Sequence, residues 1–171
     1  MMKKTTILCL LAAALTPAAA IAADRNAPVV SLQSLPAPKP GKGQVVFFRP
    51  GGMGAAIKCT VRENGAMIGR VSGNRYFVVD AEPGVHTYTA KSEATDAVTV
   101  QVEPDETSFV KCKITMGMMV GRPNLSPATD SDFAKDAGKF KQMEAAKLAA
   151  EIAEDQSKQA KAARPAEGGA Q

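Results

Sequence analysis

The chain has 171 residues, 45% of them hydrophobic, and a formal charge of +4 at neutral pH. This length allows one ordinary domain with tails. The charge is small and its basic residues are scattered, which excludes the electrostatic footprint of a nucleic-acid binder.

The first residues speak to the compartment. Met1-Met2-Lys3-Lys4 is a short positive segment, Ile7 to Leu15 is apolar, and Ala20-Ile21-Ala22 is a small-x-small site. That order is the order of a cleavable secretory signal peptide, so residues 1–23 are expected to leave, with cleavage after Ala22 or Ala23. Cys9 lies inside the apolar run, not after it, so a lipid anchor is not expected. No other stretch is long and apolar enough to span a bilayer. The mature protein is expected to be periplasmic or secreted, with no transmembrane anchor. It keeps nineteen basic residues against seventeen acidic ones, and so is close to neutral.

Residues 24–43 hold Pro28, Pro36, Pro38 and Pro40, then Gly41-Lys42-Gly43, with neither a helical nor a strand period. They read as a proline-rich, semi-extended linker.

Residues 44–120 contain no leucine and many valines. β-branched side chains suit a pleated, half-buried surface. Strands are predicted at 44–49, 56–63, 66–71, 75–80, 85–91, 97–102 and 108–114. Asn64-Gly65 is the strongest turn signal, because a type I′ hairpin needs positive φ at both positions. Glu82-Pro83-Gly84 and Pro104-Asp105-Glu106 are two further turns. Val98, Val100 and Val102 alternate with Thr99 and Gln101, which points the valines at a core. Seven short strands of this kind fit two packed antiparallel sheets.

Cleavage removes Cys9 and leaves Cys59 and Cys112. Ile57, Cys59 and Val61 alternate with Lys58, Thr60 and Arg62, and Val110, Cys112 and Ile114 alternate with Lys111 and Lys113. Both cysteines therefore fall on inward faces, and an oxidising compartment predicts one disulfide between them. A small core benefits from such a staple.

Residues 121–138 read as a loop region with Pro123 and Pro127. Residues 139–171 read as a helical, partly disordered tail. Its alanine, lysine and glutamate favour helix, Glu154 and Lys158 form an i,i+4 pair, and Phe140, Met143, Leu148 and Ile152 make a narrow apolar stripe. The stripe predicts docking near the start of the helix and a solvated far end.

Three motifs stand in a recognisable order. Val45-Val46-Phe47-Phe48-Arg49-Pro50 is an aromatic strand ending in arginine and proline, Asn64-Gly65 precedes Ile68-Gly69, and Pro83-Gly84-Val85-His86-Thr87 opens a strand. Over about residues 43–120 the chain resembles the bacterial envelope domains of domain-of-unknown-function family 2846. The resemblance implies a β-sandwich of prealbumin or immunoglobulin type. It brings no activity, cofactor or catalytic residue. Many members resemble lipoproteins, and this chain departs from them in having no lipobox.

The residues offer little to catalysis. His86 is the single histidine, both mature cysteines are committed to the disulfide, and no serine sits in a G-x-S-x-G elbow. Gly51-Gly52-Met53-Gly54 lacks the lysine and hydroxyl residue of a phosphate loop. One histidine and two cysteines do not make an ordinary zinc site. The expected function is therefore that of a non-catalytic binding module with no cofactor, contacting an envelope protein or a cell-wall component. Arg49, Arg75 and Tyr76 are the candidate contact residues, as an arginine and aromatic set typical of binding hot spots. The alternative is a soft-metal protein that binds copper through Met116, Met118 and Met119, since thioether sulfur suits Cu(I).

Overall fold

The computed structural model describes residues 34–52, 54, 57–91, 94–118 and 121–163. The expected signal peptide, residues 24–33 of the linker, Met53, Met119 and the end of the tail lie outside them. The elements run as β1 (Gly43–Arg49), β2 (Cys59–Glu63), β3 (Ala66–Val71), β4 (Arg75–Ala81), β5 (Gly84–Lys91), β6 (Thr95–Val102), β7 (Thr107–Met116), β8 (Gly121–Ala128), α1 (Asp130–Ala134), β9 (Lys141–Gln142) and α2 (Ala145–Ala163). All seven expected strands are present.

The hairpin between β2 and β3 turns at Asn64 and Gly65, with φ of 48° and 81°. Positive φ at both positions is the type I′ requirement that the dipeptide announces. The strands assemble into two sheets. One has the order β8-β7-β1-β4-β9 and the other β3-β2-β5-β6. The antiparallel expectation holds for most pairs. It fails for β1 with β7 and for β4 with β9, which run parallel.

The two sheets enclose one core. Val45, Phe47, Phe77, Val110 and Leu125 face Val61, Val71, Tyr88, Val98, Val100 and Val102 across it. Phe47 stacks on Phe77 at 5.0 Å and meets Tyr88 edge-on at 4.9 Å. Gly69 lies against Phe77, and a Cβ there would run into the ring. Cys59 on β2 and Cys112 on β7 are bonded, with Cα atoms 6.7 Å apart. The staple thus joins one sheet to the other through the core.

Strand β1 is buried along its whole length. Its second face carries Val46 and Phe48, which pack with Tyr76 and Phe109 under Phe133, Ala137 and Phe140. Phe133 lies 5.3 Å from Phe48, 5.3 Å from Tyr76 and 5.6 Å from Phe109. The short helix α1 that presents Phe133 begins with a capping box between Thr129 and Asp132.

The expected loop region 121–138 is therefore structured. It contains β8, α1 and a 3-10 turn at Ala137–Lys139. Pro123 and Pro127 misled the sequence reading, because proline is tolerated on an edge strand. Leu125 has the same parity as both prolines, and its N–H goes to Asp96 Oδ2 at 2.5 Å, away from β7. Positions of that parity need no N–H for the ladder.

The tail is helical as expected, but later than expected. Phe140 belongs to the second core and α2 starts at Ala145. Leu148, Glu151, Ile152 and Asp155 are the partly buried residues of α2, and 156–163 are exposed. That spacing is one helical face. Leu148 reaches the main core. Arg62 binds the Asp155 carboxylate twice, at 2.5 and 2.8 Å. This fork holds the Asp155 pKa below its ordinary value.

Replacing both bonded cysteines by alanine is expected to lower unfolding free energy by roughly 4 kcal/mol in the chain-entropy model. Denaturant midpoints of the oxidised protein and of the C59A/C112A variant measure the difference. A change within error would mean that the staple contributes nothing.

Candidate functional site

The three candidate contact residues come close in the backbone but not as one surface. Arg49 and Arg75 are directly paired across β1 and β4, and Phe48 pairs with Tyr76. Arg49 is only 2% exposed. Its guanidinium donates to the carbonyls of Ile57 and, at 2.6 Å, Gly54. It pins the segment between β1 and β2 and is not available to a partner. Tyr76 is 3% exposed and packs edge-on against Phe133. Its hydroxyl reaches Gln142 Oε1 at 3.4 Å. The sequence reading of these two as contacts is corrected: an arginine and an aromatic in apolar strands served the interior.

Arg75 lines a small cleft beside α2, whereas Arg49 lines a separate hollow with Lys111 and Lys113. Lys58, Arg70 and Ser72 line the cleft from β2 to β4, and Lys147 and Glu151 line it from α2. Its volume is 60 Å³. Lys58 Nζ sits 3.2 Å from Glu151 Oε1, and Arg70 Nε donates to Thr60 Oγ1 at 2.8 Å. Sequence reasoning missed Lys58, Arg70, Lys147 and Glu151. The available signal was the Lys147 and Glu151 spacing of four, which puts both on one helix face. A wider hollow, of 520 Å³ between β6 and β7, has Asp130 as its single charged lining residue among the described residues.

His86 occupies a different place. Its Nδ1 lies 2.6 Å from Glu63 Oε1 and its Nε2 lies 2.8 Å from the Glu82 carbonyl. Both partners are acceptors, so both ring nitrogens must carry hydrogen to satisfy them. The hydrogen bond that His86 donates to the Glu63 carboxylate accordingly raises the His86 pKa, with burial opposing it. The ring lies parallel to that of Tyr88 at 6.0 Å. A histidine held at both nitrogens is poorly placed to act as a base or nucleophile. The buried Tyr88 hydroxyl finds no partner among the described residues, and burial raises its pKa.

Among the described residues no three His, Cys, Asp or Glu side chains gather as a metal site. Met116 is 80% exposed and Met118 is 92% exposed, so neither fills a gap in the core. No helix among the described residues is long and apolar enough to cross a membrane.

A family model described as a protein of unknown function, DUF2846, matches residues 39–123. That span runs from just before β1 into β8. Lys147 and Glu151 lie outside it. No curated protein matches the chain, and no solved structure matches it.

The His86 pair has a defined pH dependence. A group whose folded pKa is raised contributes its stability below the unfolded value, near 6.5, and loses it as pH rises through the folded value. The melting temperature of the wild type is expected to fall as pH rises above 6.5, by more than that of an H86A variant. Parallel curves for the two proteins would show that the pair does not titrate in this way.

Proposed function

We propose that this chain, whose residues 39–123 belong to the DUF2846 family, is an exported, non-catalytic β-sandwich that works by contact. Its partner is an envelope protein or cell-wall component that presents negative charge. The observation that carries the reading is the cleft around Arg75. Four cationic side chains converge there, and Arg75 and Lys147 have no acidic partner among the described residues. Unpaired cations brought together by rigid strands are a ready complement to an anionic surface. The arrangement of His86 favours a structural role over a catalytic one. The disulfide accords with an oxidising compartment.

The test places a photo-crosslinking side chain at Ser72 and treats envelope extracts. A discrete adduct is expected, and combining the probe with R75A and K147A is expected to reduce its yield about tenfold or more, on the scale of hot-spot losses. The K113A variant, at an exposed position on β7, serves as control. Equal adduct yield in all three proteins would defeat the reading.

The soft-metal alternative has one observation in its favour, the exposure of the Met116 and Met118 side chains. It expects one Cu(I) per chain in native mass spectrometry, lost when Met116, Met118 and Met119 become leucine. A bare wild-type spectrum in the presence of Cu(I) would remove it.

A further inference from the structure

We infer that the β7–β8 arm docks on an anionic phospholipid bilayer, with Met116 and Met118 entering the acyl boundary and Lys111 and Lys113 meeting headgroup phosphates. The inference goes beyond the Arg75 reading and concerns a separate surface.

The shape of the arm comes first. Strand β1 accompanies β7 only as far as the pair Phe48 and Lys111. Strand β7 continues to Met116, and β8 stays beside it to the pair Met116 and Gly121. Among the described residues, Cys112 to Met116 therefore belong to a two-stranded ribbon. It is about 16 Å long, at some 3.3 Å per residue.

The end of the ribbon is apolar. The exposed large apolar side chains among the described residues are Val85, Met116 and Met118. The two methionines, 80% and 92% exposed, both stand at this end. Apolar groups offered to solvent beside charged ones mark an interaction site.

Charge selects the partner. Residues 107–128 hold Lys111, Lys113 and Arg122 and neither aspartate nor glutamate. Lys111 and Lys113 have no ion pair among the described residues. The Asp96 carboxylate that reaches the arm from β6 is spent on the Leu125 N–H and the Asn124 amide. Lys111 and Lys113 are two positions apart and so share one face of β7. Lys113 stands three positions before Met116, about 10 Å along the strand. An interfacial element sinks its apolar part roughly 5–10 Å into the boundary between headgroups and acyl chains. With the methionines at that depth, the lysines stand at the level of the phosphates, and each is drawn to an anionic leaflet. The open edges of the ribbon stay among hydrated headgroups, where unpaired backbone groups still find water.

A hollow of 320 Å³ beside the ribbon favours lipid over an acidic protein. Lys111 and Lys113 line it together with Pro50 and Ile114. Its volume is at the lower end of the roughly 300–1,000 Å³ of ligand pockets. An anion joined to an acyl chain meets cationic and apolar lining at one place.

Vesicle sedimentation with the full mature chain, disulfide intact, tests this. The vesicles are phosphatidylcholine alone, or phosphatidylcholine mixed with phosphatidylglycerol. Binding to the mixed vesicles is expected to be about tenfold or more tighter than to the neutral ones. K111A and K113A are each expected to weaken it about fivefold, the share of one cation at an anionic surface. K161A, at an exposed position of α2, is expected to bind as wild type. M116D/M118D is expected to weaken binding about a hundredfold, with an unchanged melting temperature because both side chains are exposed. M116L/M118L is expected to bind as wild type, which separates lipid insertion from a sulfur-dependent copper site. The chain has no tryptophan, so M118W is a single reporter. Its emission is expected to shift to the blue on mixed vesicles, while that of V85W stays unshifted.

No binding to mixed vesicles overturns the inference. So does equal binding to neutral ones, an unshifted M118W emission, or loss of binding in M116L/M118L. Full binding by M116D/M118D overturns it in favour of an acidic protein or polymer. A loss in K161A equal to that in K113A overturns it in favour of attraction by overall charge. K113A also serves as the control for the Ser72 adduct. If vesicle binding fails while R75A and K147A still reduce that adduct, the contact reading stands alone. If vesicle binding follows the expected pattern while the adduct is unchanged, the membrane arm stands and the contact reading falls.

Discussion

Strand β1 is buried on both faces, and the architecture follows from that constraint. Seven successive residues, Gly43 to Arg49, are withdrawn from water. Val45 and Phe47 require the second sheet to cover them, whereas Val46 and Phe48 require cover from outside the sandwich. The chain supplies the outside cover after β8, with Phe133, Ala137 and Phe140. Even the polar members of β1 are satisfied internally. Gln44 donates to the Pro36 carbonyl and to Thr107 Oγ1, both at 2.8 Å, and so ties the chain before β1 to its parallel neighbour β7. Arg49 closes the other end by holding the following segment through its carbonyls. Buried polar groups of this kind are tolerable only because each is paired.

Much of this was legible in the residues. Period-two alternation located the strands, and the facing of Cys59 and Cys112 located their bond, because alternation and pairing are local properties of the chain. Val98, Val100 and Val102 point inward for the same reason. What escaped was long-range. The run Val45-Val46-Phe47-Phe48 reads as a strand but does not say what covers its second face. Nothing in 107–111 announces a parallel partner at 44–48, since parallel register is set by the whole topology. In 121–128 the prolines outweighed the pattern, and only the edge position of β8 makes them acceptable.

The site was harder to read than the fold. Arg75 was visible as a candidate, but Arg49 and Tyr76 carry the same residue types and do interior work. Composition does not separate an arginine that caps buried carbonyls from one that meets a ligand. The cleft itself is drawn from Lys58, Arg70, Arg75 and Lys147, nearly ninety positions apart at the extremes, and α2 must dock before they meet. That docking depends on Leu148 and on the Arg62 fork to Asp155, a pair with no signature in either local sequence. Sequence-distant cations become neighbours through the sheet order, and a reading residue by residue does not contain that order.

The position of the disulfide also governs how the protein bears load. Cys59 and Cys112 are 53 positions apart, and β2 to β6 with the first half of β7 lie within the closed loop. Tension applied through the two ends of the chain passes directly from one sulfur to the other. The loop between them carries none of it. About 180 Å of extended backbone is therefore withheld, at some 3.4 Å per residue. A pulled molecule can shed α2, the aromatic cover and β1, yet the five strands β2 to β6 remain inside a closed, unextended loop of chain. The length to which the chain can be drawn out is set by the parts outside the loop.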